Sequence, residues 1–111
     1  MARTREDDED DLRTLRSFWP VVAAHDGHDP QHWSLARVLH QLARRTIQRA
    51  LFADPPPSAA EASELQAALL ELGENQTRES GMTRPLQLAQ WPRIQAQLSR
   101  VLPLAARILS Q

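Results

Sequence analysis

Residues 29–52, DPQHWSLARVLHQLARRTIQRALF, read as one long amphipathic helix. Asp29 suits the cap of a first turn, where a carboxylate accepts a free amide. Pro30 fits that turn because it has no amide to leave unpaired. Leu35, Val38, Leu39, Leu42, Thr46, Ile47, Ala50 and Leu51 follow at helical spacing and form a continuous apolar stripe. Trp33 is expected to pack at the helix start. Arg37, Gln41, Arg44 and Gln48 lie opposite the stripe, with Arg45 and Arg49 on its flank. Residues 30–53 thus hold four arginines and no acid.

The flanking sequence repeats the helical theme. Residues 6–11 are six acids in a row, placed where the positive end of a helix dipole favours them. Leu12, Leu15, Phe18, Trp19 and Val22 recur behind them, predicting a helix over about 7–19 that ends near Pro20, with room for a short further turn over 21–24. Residues 25–29 read as a polar loop. Beyond the long helix, Asp54-Pro55-Pro56-Pro57 opens a stiff linker over 54–58. Ser58-Ala59-Ala60-Glu61 matches a capping box. The helix it starts is expected to bury Leu65, Ala68, Leu69 and Leu72 and to end at Gly73. Residues 74–83 are polar, with room for a short helix over 74–79. Thr83-Arg84-Pro85 predicts a short helix through Gln90, and Trp91-Pro92 starts the last one. That last helix carries Ile94, Leu98, Val101, Leu102, Ala105, Ile108 and Leu109, with Pro103 expected to kink or split it. No strand pattern or internal repeat appears. The expectation is an all-α, compact bundle of four to five helices, one domain over residues 1–111 with a flexible start at 1–6.

Composition agrees. A chain of 111 residues can close one modest core, and Ala, Leu, Gln and Arg dominate while glycine is scarce. The absence of cysteine excludes disulfides and thiolate metal sites. No apolar run approaches a membrane span, and the early acids are unlike a secretory leader. A soluble cytoplasmic protein is expected, without membrane contact.

All thirteen basic residues are arginine, which a GC-rich codon preference explains, so only their placement is informative. Residues 1–29 carry net −4, 30–53 net +4, 54–79 net −5 and 80–111 net +4, summing to −1. Arg93, Arg100 and Arg107 lie seven residues apart and would form one stripe, drifting about 20° per step. Arg37, Arg44, Arg45, Arg49, Arg93, Arg100 and Arg107 are therefore the candidate nucleic-acid-binding residues, since guanidinium rows suit a phosphate backbone. An acidic protein surface would suit them as well. The alternating blocks fit either compensation inside one bundle or head-to-tail self-association.

Other polar groups carry less. The residue 25–32 segment, with His25, Asp26, His28, Asp29 and His32, has the chemistry of a Zn, Mn or Fe site. Its spacing is loose, no H-E-x-x-H is present, and His40 is the one further histidine. It reads as a solvated loop, with no metal and no cofactor expected. His40 reads as a boundary residue rather than part of a polyanion face. Trp19, Trp33 and Trp91 read as helix-end core rather than as base-stacking platforms. No triad, nucleophile elbow or phosphate-cradling glycine loop occurs, so enzymatic function is not expected.

The Phe18-Trp19 pair, the polar turn over 25–32 and the segment Trp33-Ser34-Leu35-Ala36-Arg37-Val38-Leu39-His40-Gln41-Leu42 resemble the small subunits of CRISPR effector complexes. The resemblance implies a non-enzymatic helical subunit, stacked in several copies beside larger backbone subunits. It would help hold guide RNA or a single-stranded target through basic side chains. The alternative is a helical protein–protein adaptor or chaperone with no nucleic-acid role. A small metal hydrolase using the 25–32 segment is the third reading.

Overall fold

The computed structural model describes residues 5–79 and 84–110, which form helices α1 (Arg5–Ala24), α2 (Pro30–Leu51), α3 (Ala59–Glu79) and α4 (Arg84–Leu109). No strand occurs among the described residues, and the architecture is an all-α bundle. The start of α2 is built as its sequence dictates. Asp29 stays extended, and its side chain accepts the Gln31 amide at 2.9 Å. At the other end Phe52 closes the helix, its amide donating to the Gln48 carbonyl at 3.2 Å.

The stripe of α2 is the middle of the core. Trp33, Ala36, Leu39, Leu42, Ala43 and Ile47 are buried there with Leu98, Val101, Leu102, Ala105 and Ile108 of α4. Val38 of the stripe instead lies 39% exposed. α1 contributes Leu15 and Val22, and α3 contributes Leu65, Ala68 and Leu72. α2 and α4 pack on each other, and α1 and α3 each pack on both. α1 and α3 do not meet among the described residues. α4, at about 1.5 Å per residue, is about 39 Å long in a molecule whose longest extent is 45 Å.

Three helix ends differ from expectation. α1 runs through Pro20 to Ala24, α3 runs through Gly73 to Glu79, and the two expected C-terminal helices are one, unbroken across Pro92 and Pro103. The prolines share a placement. Pro20, Pro92 and Pro103 are all exposed, and so are Arg16 and Ser99, whose carbonyls lose their partner four residues on. Water can serve those carbonyls. Meanwhile Val22 beyond Pro20, and Leu104, Ala105, Ile108 and Leu109 beyond Pro103, gain core burial only if the helix continues. At Pro103, burial of several apolar side chains, at about 1.5–3 kcal/mol each, outweighs roughly 3 kcal/mol for the proline, and at Pro20 the burial of Val22 offsets much of it. Gly73 has no positive φ, so the left-handed turn that would stop α3 there is not formed.

The Ser58 half of the capping box is present, its hydroxyl accepting the Glu61 amide at 3.2 Å. The flexible start expected at residues 1–6 lies outside the described residues over 1–4, while 5 and 6 belong to α1. The expected helix start at Thr83 also lies outside them.

Candidate functional site

The two arginine-bearing faces are set against acidic neighbours. Asp11, on the inner side of α1, is the hub of the first contact. Its carboxylate accepts Arg45 at 2.7 Å and Arg49 at 2.5 Å, both from α2. Asp8, one turn back, stands 4.0 Å from Arg49. The side chains of Asp11 and Arg49 are only 9% and 18% exposed, so this pair lies within the helix–helix seam rather than on a free surface. Within the acid run, Asp8 and Asp11 turn inward because they are three apart on one helical face, leaving Glu9 and Asp10 outward.

The second face behaves alike. Arg100 pairs with Glu71, its Nε donating to Oε1 at 2.9 Å, and Arg107 pairs with Glu64 at 3.0 Å. Both steps are seven residues, taken in opposite directions along α3 and α4. The helices are therefore antiparallel, with matched acidic and basic rows. Arg37 and Arg93 are exposed and Arg44 is half-buried on α2. Of the seven candidate residues, Arg45, Arg49, Arg100 and Arg107 are thus brought against carboxylates of this chain. Head-to-tail pairing between copies is not needed to balance those four, so internal compensation accounts for them.

His40 is not a boundary residue. It is 5% exposed, and its Nε2 meets the Leu72 carbonyl of α3. Burial is the first cause that holds its pKa below the usual histidine value, opposed by the bond to Leu72 and reinforced by the nearby Arg44 charge. The neutral ring donates Nε2–H to the Leu72 carbonyl, which makes His40 a strut between α2 and α3.

The 25–32 segment and the tryptophans form one junction. Trp33 donates Nε1–H to the Gly27 carbonyl at 2.8 Å, and Trp91 donates to the His25 carbonyl at 2.8 Å. The two indoles lie 4.9 Å apart, tilted by 60°. Gln95 adds its amide to the Val22 and His25 carbonyls, each at 2.8 Å, so α4 caps the C-terminus of α1. Gly27 takes φ +85, and a Cβ there would stand 2.7 Å from Trp91 Cγ. His25 and His32 stack at 4.0 Å, and His28 Nδ1 lies 2.9 Å from Asp26. The His28 amide, followed by its ring, holds the exposed Asp26 carboxyl below its ordinary pKa. These imidazoles and carboxylates do not converge on one point, and no metal-holding group of three exists among the described residues.

Two features had no counterpart in the sequence reading. Gln95 could have been found as an amide four residues beyond Trp91 on the same helical face. The other is an apolar groove of about 230 Å³ between α1 and α4, lined by Leu12, Leu15, Trp19, Leu102, Pro103 and Ala106. No residue pattern announces it, because it is formed jointly by side chains of two helices far apart in sequence. No helix among the described residues is long and apolar enough to cross a membrane. No known protein family, curated protein or solved structure matches the chain.

Proposed function

We propose that this protein is a non-enzymatic, cytoplasmic assembly subunit that binds other proteins of a larger complex. The observation that carries the reading is the engagement of Arg45, Arg49, Arg100 and Arg107 by Asp11, Glu71 and Glu64. A bundle that neutralises its own basic rows, with net charge −1, offers a weak field to a polyanion. Its outward features are instead apolar: Phe52 is 82% exposed, Leu70 is 69% exposed, and the α1–α4 groove is open. These apolar features, the open groove above all, are the surface on which protein docking would rest. The polar groups that would otherwise suggest chemistry serve the fold, His40 on α3 and the 25–32 segment at the tryptophan junction.

A second reading, the nucleoprotein subunit implied by the likeness to small CRISPR effector subunits, draws on a different observation. Arg45, Arg100 and Arg107 stay 58–59% exposed while paired. Exposed pairs contribute about 0–1 kcal/mol, so phosphates can displace the carboxylates at small cost. Affinity purification from the native host, with and without nuclease, separates the two. Protein partners that survive nuclease, with no recovered nucleic acid, support the docking reading. Short defined RNAs that hold the partners together overturn it in favour of the nucleoprotein subunit.

A further inference from the structure

Phe52 and the α1–α4 groove sit on different parts of the same molecule, and they match. Phe52 follows the last turn of α2, 82% exposed and outside the core cluster. Its backbone is nonetheless fixed. The Phe52 amide bonds Gln48, the Ala53 amide bonds the Ala50 carbonyl at 3.3 Å, and three prolines follow at 55–57. A rigidly presented aromatic loses little entropy on docking. The groove, at about 230 Å³, is below the roughly 300–1,000 Å³ of small-molecule sites and is the size for one large side chain. Its walls are the faces of Trp19, Leu12, Leu102 and Pro103, with exposed Arg16 at the rim. Exposed Asp54 stands two residues beyond Phe52, so the knob carries the charge that complements the rim.

We infer that the groove receives Phe52 of a second copy of this chain, with Asp54 of that copy meeting Arg16. The contact is heterologous, since the knob and the groove are distinct surfaces. It rests on the docking reading above and names one partner for it. The exposed Leu70 lies outside this contact and stays available to other subunits.

The test needs no ligand and uses the whole chain: mass against concentration by light scattering and sedimentation, for the protein, a knob variant and a groove variant. Phe52→Ala removes the knob. Ala106→Trp fills the groove, and Ser99→Trp does so from an exposed position should Ala106→Trp unfold the bundle by circular dichroism. The expected result is concentration-dependent association of the unaltered chain, weakened at least about 30-fold in each variant, as for an aromatic anchor. Mixing the knobless and groove-filled proteins restores a 1:1 complex, because one supplies the groove and the other the knob. A chain that stays monomeric to about 1 mM, an association indifferent to Phe52→Ala, or a mixture that does not recover would overturn the inference. A monomeric chain that still retains a protein partner after nuclease removes the self-docking alone and leaves the docking function standing.

Discussion

Two glycine-to-alanine substitutions should act with opposite signs, and their difference can be worked from the structure. Gly27 sits at φ +85, where an L side chain costs about 1–2 kcal/mol. The new Cβ would also lie 2.7, 2.8 and 3.0 Å from Trp91 Cγ, Cδ2 and Cβ. Trp91 cannot swing aside cheaply, being 1% exposed and tied to the His25 carbonyl. Overpacking of this kind costs about 1–3 kcal/mol. Gly27→Ala should therefore lose about 2–5 kcal/mol, a large share of a small domain's stability, and lower Tm by roughly 10–25 °C. Gly73 has nothing within 4 Å of its would-be Cβ and lies inside α3. Gly73→Ala should gain about 0.5–1 kcal/mol from backbone entropy and helix propensity. Urea denaturation of both variants against the unaltered chain measures the pair. A loss below about 1 kcal/mol at Gly27 would refute the account of the tryptophan junction, and a loss at Gly73 would refute the continuity of α3.

Asp11→Asn removes the carboxylate shared by Arg45 and Arg49, leaving the largely buried Arg49 only Asp8 at 4.0 Å, and should cost about 2–4 kcal/mol, most of it unaffected by salt; a change under about 0.5 kcal/mol in chemical denaturation would place the pair on the surface. Thr46→Val should stabilise by about 1 kcal/mol, because the Thr46 hydroxyl is fully buried and has no hydrogen-bond partner among the described residues; calorimetry checks the sign. His40 has a folded-state pKa below the unfolded value of about 6.5, so the unfolded chain binds the extra proton between the two. Its contribution is complete above about pH 6.5 and is lost as pH falls through the folded pKa, with a slope of up to about 1.4 kcal/mol per pH unit; His40→Gln should flatten that part of the stability–pH curve. Single-stranded nucleic acid, if three to five phosphates engage the arginines, should bind with a log–log salt slope of about −2 to −3.5, whereas the docking reading expects a slope near zero in filter binding.

The readability of the chain follows the range of the forces involved. The limits of α2 could be read because Asp29, Pro30 and the stripe all act within one or two turns. The ends at Pro20 and Pro92 could not, because each local stop signal is overridden by core residues that lie beyond it, Val22 after Pro20 and Ile94 and Leu98 after Pro92; the end at Gly73 could not, because a glycine stops a helix only where it takes the left-handed turn, and Gly73 does not. The arginines show the same limit. Their block pattern is plain in the sequence, yet whether Arg45 meets a phosphate or Asp11 depends on α1 becoming the neighbour of α2. One clue was present: Glu64 and Glu71 share the seven-residue spacing of Arg100 and Arg107. Matched periods on two consecutive helices foretell a pairing, whereas a basic period alone foretells only a stripe. The groove was out of reach, since it depends on how α1 comes to lie against α4.

α1 and α3 never touch among the described residues, and each leans only on the α2–α4 pair. The molecule is thus a central α2–α4 pair with two flaps that make no contact with each other. α1 is fastened by Asp11 at one end and by Gln95 at the other. α3 is fastened by the His40–Leu72 strut and by Arg100 and Arg107. Nothing requires both flaps to open together. Amide exchange should resolve two separate opening events below global unfolding, with mildly acidic pH loosening the α3 flap while leaving the α1 flap shut.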